Sequence, residues 1–320
     1  MEIIAADIGG THANFSIASV SNSHPEILFS GTFDSASCAR FPDLINTFLA
    51  EAGSKGLTPE AGCFAVAGPV VNQRVRMTNA RFVVDAKEIQ KNTSLRDVLI
   101  INDFEAVAYA TNALNRRDHK TLNKGKPQEG VRAAIGAGTG LGKSILHFNG
   151  KFYKPLPSEG GHSDLPLQSR DELDLAEFII KEKRANQIRY EDVLSGPGLE
   201  ILYKYLRSRK FPSSPPGRTA NDISLSRKSD PCSREAFAWF VRFYARCARN
   251  FALDTLPRGG LYIAGGIVAK NPDMFSQFMR EFVKNDVHSK LLKEIPVFLI
   301  TNYQISLVGA AYAFTHNSVL

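Results

Sequence analysis

The chain has 320 residues, 43% of them hydrophobic and 22% charged, and a formal net charge of +7. This is the balance of a globular protein of one large or two medium domains, and no run of about 18 apolar residues offers a helical membrane span. The lysines and arginines are scattered and build no recognised nucleic-acid module, so the basic surface reads as steering for phosphorylated small molecules.

Residues 2–8 enter a strand at once, without the basic region and apolar core of a signal peptide, so the cytoplasm is the expected compartment. The strand ends in Asp7–Ile8–Gly9–Gly10–Thr11. Glycines there let the chain turn tightly and bring N–H groups close to an anion. Asp7 could hold a hydrated Mg²⁺, although Asp-x-Gly-Gly also suits a plain β-turn. Strands at 14–20 and 26–34 follow, then a helix over 41–53 with Leu44, Ile45, Phe48 and Leu49 on one face. A short buried strand, 63–67, leads to Gly68–Pro69, and 98–101 forms the next strand. The order βββαβα predicts an antiparallel start followed by parallel crossovers. The last of these strands runs into Asn102–Asp103 and a helical pattern. A carboxylate at the carboxyl end of a strand sits where open α/β sheets bind ligands. An Asn-Asp pair there is equally a helix N-cap.

A second set begins with a strand at 132–136, then Gly136-x-Gly138-Thr139-Gly140-x-Gly142 and a strand at 143–148. A strand and not a helix follows these glycines, which disfavours a dinucleotide fingerprint and favours a phosphate-binding hairpin with Thr139 as an added donor. Asn149–Gly150 predicts a type I′ turn into 151–154. Both halves therefore open on one plan: strand, glycine-rich turn, strand, strand. Glu159–Gly160–Gly161–His162 joins a carboxylate and an imidazole in one loop, and Glu191 lies just before Leu194–Ser195–Gly196–Pro197–Gly198. With Asn102 and Asp103 these form a set of groups able to bind a polyol through paired hydrogen bonds. Helices fill most of 171–254, the strongest over 233–256, with 210–222 as a loop. Gly259–Val268 reads as a buried strand ending in Gly265–Gly266 before a helix, suited either to a flat ligand such as adenine or to close helix–strand packing. A strand at 296–301 and a helix at 306–314 complete the pattern. The cysteines (Cys38, Cys63, Cys232, Cys247) form no C-x-x-C pair and read as inert thiols, with no zinc site or disulfide framework.

Taken in order, Asp7–Thr11, Ala65–Pro69, Met77–Asn79, Ile101–Phe104, Gly136–Gly142, Glu159–His162, Leu194–Gly198 and Ala264–Val268 resemble the sugar kinase, actin and heat-shock-chaperone superfamily, and more narrowly the bacterial-type glucokinase family. The resemblance implies an α/β protein of two actin-like ATPase (ribonuclease H-like) domains with an interdomain cleft that closes on the sugar. The smaller domain is expected at 1–108 plus 303–320 and the larger at 109–302, the last helix returning to the first domain. It implies that Asp103 is the catalytic base, that Asn79, Asn102, Glu159, His162 and Glu191 bind glucose hydroxyls with it, and that Gly9, Gly10, Thr11, Gly138, Thr139 and Gly140 face the phosphates. Gly265 and Gly266 would approach the adenosine, and Asp7 would hold Mg²⁺ through water.

The function so implied is phosphorylation of D-glucose at its 6-hydroxyl by ATP with Mg²⁺, feeding glycolysis, in a cytoplasmic homodimer that binds neither nucleic acid nor membrane. Two alternatives stand beside it: a kinase for fructose, mannose or an N-acyl mannosamine, and a non-catalytic sugar sensor. A sugar-responsive repressor would carry a DNA-binding domain ahead of Asp7, where only six residues stand. One departure bears on activity: the family's Thr-Asn-Ala-Arg reads Thr11–His12–Ala13–Asn14 here, which removes a cation near the first phosphate loop.

Overall fold

The computed structural model describes residues 1–21, 24–35, 37–77 and 82–317. In chain order its elements are β1 (Glu2–Ile8), β2 (His12–Ser21), β3 (His24–Asp34), α1 (Phe41–Gly53), β4 (Ala61–Val66), β5 (Arg74–Arg76), β6 (Val83–Asp85), α2 (Ala86–Asn92), β7 (Asp97–Asn102) and α3 (Asp103–Ala110). Then come β8 (His119–Asn123), β9 (Arg132–Ala137), β10 (Leu141–Phe148), β11 (Tyr153–Ser158), α4 (Arg170–Lys183), α5 (Gly196–Arg209), α6 (Ala220–Ser226) and α7 (Pro231–Thr255). The chain closes with β12 (Gly260–Ala264), α8 (Gly266–Lys270), α9 (Phe278–Phe282), α10 (Ser289–Glu294), β13 (Val297–Ile300) and α11 (Ile305–Asn317).

Two compact units result. The first comprises Met1–Asp118, Phe148–Leu156 and Gln304–Leu320, the second His119–His147 and Pro157–Tyr303. The sheet of the first runs β3-β2-β1-β4-β7, antiparallel through β1 and parallel from β1 onward. Every residue of β4 is buried, as a central parallel strand covered on both faces requires. Phe41, Leu44, Ile45 and Phe48 turn one face of α1 onto this sheet, where Phe48 stacks on Phe15 with ring centroids 5.3 Å apart. Rings buried this way stabilise by about 1.5–3 kcal/mol each. On the other face α11 lies against α3 so closely that a Cβ on Gly309 would come within 1.8 Å of the Ala106 carbonyl oxygen.

The second sheet runs β11-β10-β9-β12-β13-β8. It repeats the order of the first and adds β8 as an antiparallel edge beyond β13. The shared plan read from the sequence is therefore present. Helix α7 packs beneath it, begun by Pro231 with Asp230 as N-cap. The buried Tyr244 hydroxyl donates to the carbonyls of Ile135 (3.0 Å) and Ala264 (3.1 Å), tying β9 to β12 where each runs into its glycines.

Three local readings need correction. The turn after β10 centres on Gly150 and Lys151, because the Asn149 N–H donates to the Phe152 carbonyl (3.1 Å); only Gly150 has positive φ, so this is not a type I′ turn, which needs two. The Asn149 side chain instead accepts from the N–H groups of Lys151 and Phe152. The loop after α5 ends at Thr219, since Thr219 and Asp222 cap each other reciprocally and start α6 at Ala220. Strands β5, β6 and β8 and helix α2 were not legible, being three to seven residues long.

Candidate active site

In the first unit, β1 and β7 flank β4 in parallel, with Asp7 opposite Ala65 and Ala65 opposite Ile101. Asp7 and the Asn102–Asp103 pair therefore emerge at the same, carboxyl edge of the sheet. Asp7 Oδ2 accepts a 2.6 Å hydrogen bond from Ser306 Oγ on α11. Burial pushes its carboxyl up to about 6, and the nearby Asp103 charge acts in the same direction against the Ser306 bond. The turn that follows is closed by Gly9 N–H donating to the His12 carbonyl (2.9 Å) and is held by Ser35, whose Oγ donates to the Gly9 carbonyl (3.0 Å) and whose N–H donates to the Thr11 carbonyl (2.9 Å). Neither Gly9 nor Gly10 has positive φ. What glycine supplies there is a bare backbone surface, with Thr11 exposed beside it.

Asn102 does cap α3: its Oδ1 accepts from the N–H groups of Phe104 (2.9 Å) and Glu105 (3.2 Å), while Nδ2 donates to the Gly68 carbonyl (3.1 Å). The cap orients the next residue, Asp103, whose Oδ1 accepts from the Phe104 N–H (2.9 Å). Asn14 Oδ1 accepts from Thr32 Oγ1 (2.9 Å), so the residue standing where the family has Arg braces β2 against β3. Asn79 lies outside the described residues.

In the second unit, Glu159 and His162 flank a short 3₁₀ turn, Gly160–His162, and Glu191 lies in another, Tyr190–Asp192. The structure brings these three together. His162 Nε2 is 3.7 Å from Glu159 Oε2, and His162 Nδ1 is 4.0 Å from Glu191 Oε1. The glycines between Glu159 and His162 are set by packing on β10, for a Cβ on Gly161 would come within 2.0 Å of the Leu141 carbonyl oxygen. Glu191 Oε2 accepts from the Leu141 N–H (3.0 Å) and fills the space where a Cβ of Gly140 would stand, 2.5 Å away. Gly140 thus makes room for a sugar-binding candidate, while Gly138 and Thr139 form the open tip of the turn; no atom outside the turn lies within 4 Å of a Cβ placed on Gly138. The Gly138 carbonyl is held from below by the Gly196 N–H (2.8 Å). At the end of β12, Gly265 has φ +101° and no room for a Cβ, which would lie 2.1 Å from the Ala137 carbonyl oxygen. Close helix–strand packing accounts for Gly265. Gly266 faces the ring of Tyr303, over which lies the Lys270 ammonium, 5.1 Å from the centroid.

Two residues near these groups were absent from the sequence-derived set. Ser306 gives no local signal, since it meets Asp7 from 299 positions away. Arg189, beside Glu191, places Nη1 3.2 Å from His162 Nδ1, and its spacing of three from Asp192 was the available hint. The four cysteines are free, and burial pushes the thiols of Cys232 and Cys247 up to about 12. Among the described residues, no group of three or more His, Cys, Asp and Glu is placed to hold a metal ion, and no helix is long and apolar enough to cross a membrane.

A family model described as Glucokinase matches residues 4–317. A glucokinase of Nostoc sp. strain PCC 7120 is 36% identical, with 97% of each chain covered. The crystal structure of a glucokinase from an Antarctic psychrotroph is 28% identical and superposes with a TM-score of 0.83, covering 99% of both chains. At 19% identity and a TM-score of 0.67, a ROK family glucokinase of Streptomyces griseus in complex with glucose and AMPPNP shares the fold, over 97% of this chain and 98% of that one. The actin-like ATPase fold expected from the motif order is therefore the fold of this protein. With the family model spanning nearly the whole chain and a relative above one-third identity over almost all of it, the chain belongs to the glucokinase family.

Proposed function

We propose that the protein transfers the γ-phosphoryl group of ATP to the 6-hydroxyl of D-glucose. The observation that carries this reading is the pair of carboxylates, Asp7 and Asp103, at the carboxyl ends of two parallel strands beside a glycine turn, close enough for the charge of Asp103 to raise the carboxyl of Asp7. Asp103 accepts the hydroxyl proton as the sugar oxygen attacks the γ-phosphorus and ADP departs. Asn102, tied by one amide hydrogen to Gly68, donates the other to the sugar. Glu159, His162, Glu191 and Asn79 complete the grip on the ring hydroxyls. N–H groups of the turns at Gly9–Thr11 and Gly138–Gly140 receive the phosphoryl oxygens, and Gly265 and Gly266 border the adenosine. Positioning and electrostatics supply most of the rate in such transfers.

A carboxylate is the hard oxygen donor that suits Mg²⁺, which commonly keeps several waters and takes only one or two protein carboxylates. Asp7, beside the phosphate turn and near Asp103, fits that role. Bound there, Mg²⁺ would neutralise charge on the phosphoryl oxygens. The reading includes a cytoplasmic homodimer, for which the family resemblance is the support.

A coupled assay over a panel of hexoses with ATP tests the proposal. Glucose should give the highest kcat/KM, and Asp103→Ala should lower kcat by roughly 10²–10⁴-fold with its melting temperature nearly unchanged. An Asp103→Ala enzyme of wild-type kcat would overturn the assignment of the base, and a better substrate than glucose would overturn that of the sugar.

A further inference from the structure

We propose that Arg189 is a positioning residue for the sugar site, fixing the tautomer of His162 with its hydrogen on Nε2. The inference rests on the glucose-binding reading of Glu159, His162 and Glu191, but its physical basis is independent of it. Arg189 Nη1 lies 3.2 Å from His162 Nδ1. A guanidinium has five N–H donors, no acceptor, and keeps its charge at any working pH. Nδ1 must therefore accept, and a neutral ring that accepts at Nδ1 carries its hydrogen on Nε2.

The arginine is itself fixed. Its Nε and Nη2 grip the two oxygens of Asp192 at 3.2 and 3.1 Å, a fork that leaves Nη1 directed at the ring. Asp192 is buried and also takes the Arg189 N–H (2.8 Å) and the Lys183 ammonium (2.6 Å). The other charges around the ring pull the opposite way. Glu159 faces Nε2 at 3.7 Å and Glu191 faces Nδ1 at 4.0 Å, so each ring nitrogen has a carboxylate that would accept a hydrogen from it. Lys143, on β10, packs its chain on Gly160 but sets its ammonium over the rings of Tyr190 (4.6 Å) and Phe251 (5.5 Å). Asp164 meets Arg189 through a backbone bridge. Without Arg189, Nδ1 would be free to carry the ring hydrogen and turn it to Glu191. That would withdraw from the sugar the Glu191 carboxylate proposed to accept one of its hydroxyls. Arg189 thus keeps Glu191 Oε1 available as an acceptor and leaves Nε2–H as the single donor of the imidazole.

The test is ¹⁵N-histidine NMR of the full chain, with His162→Gln identifying the resonance. At pH 8 wild type should show the Nε2–H tautomer. In Arg189→Met the ring should populate both the Nε2–H and the Nδ1–H tautomer. Arg189→Lys, which keeps a cation but not the fork, should recover part of that change. In steady-state assays at pH 8 the KM of Arg189→Met for glucose should rise up to about tenfold, as loss of one hydrogen-bond acceptor would give, with kcat falling much less. A wild-type ring protonated at Nδ1, a Met variant with the wild-type tautomer, or a Lys variant with no recovery would each overturn the proposal. Failure of the wild type to phosphorylate glucose would refute the functional reading instead, and the NMR result would still decide whether Arg189 governs the ring.

Discussion

Asp7 combines a functional position with a stability cost. Its carboxyl titrates near 6 in the folded chain, against 3.8 when unfolded, so between these values the folded state binds more protons. Stability is therefore favoured below about pH 4 and declines as pH rises through 6. Asp7→Asn, which still accepts from Ser306, should melt higher than wild type at pH 7.5 without divalent metal, by up to about 3 kcal/mol. The two should converge at pH 4. The same change should cost activity. Equal melting temperatures at pH 7.5 would mean the carboxylate is not strained by its surroundings. Asp7 was legible because a strand-end carboxylate before Gly-Gly stands out locally. Ser306 was not, because only the fold brings it to Asp7.

Elements place their demands on different glycines. Gly265→Ala would force a Cβ to within 2.1 Å of a carbonyl at φ +101°, and should destabilise by more than about 3 kcal/mol or prevent folding. Gly138→Ala has open space and should leave the melting temperature within a degree or two while raising the KM for ATP. A thermal melt beside an ATP titration separates the two roles, which one sequence pattern could not. The Tyr190–Asp192 turn makes a different prediction. Burial raises the Asp192 carboxyl, but Arg189, Lys183 and a backbone N–H outweigh it and bring the group down to about 2. This stabilisation is complete above about pH 4 and is lost as pH falls through 2. Asp192→Asn should cost about 2 kcal/mol at pH 7 and about half that at pH 3. Long periodic elements such as α1 and α7 were readable from spacing alone. The short β5, β6 and β8 were not, because three to five residues hold too few periods to declare themselves. The sugar-side groups were readable as residue types, but the nesting of Glu191 under Gly140 depends on 50 intervening positions.

At the scale of the molecule, glucose that binds the folded chain alone should raise its melting temperature by mass action, by about 2.7 kcal/mol at a hundredfold excess over Kd. Galactose should not. Differential scanning fluorimetry checks this, and it should hold in Asp103→Ala as well, since proton abstraction is not needed to bind. The two glycine-turn sheets made the doubled architecture visible in the sequence, whereas the division of the chain between the units was fixed by packing that no local pattern carries. One consequence concerns the birth of the protein. The first unit is assembled from three separate stretches of chain, and α11 supplies the surface that seats α3 and the hydroxyl that meets Asp7. Its opening strands are synthesised early yet must wait, with their apolar face uncovered, until residue 317 has left the ribosome. The second unit, nearly continuous, also closes late, since β13 joins β12 to β8 in its sheet. The interval before α11 arrives is when the first unit's apolar face is most exposed to chaperones, proteases and aggregation.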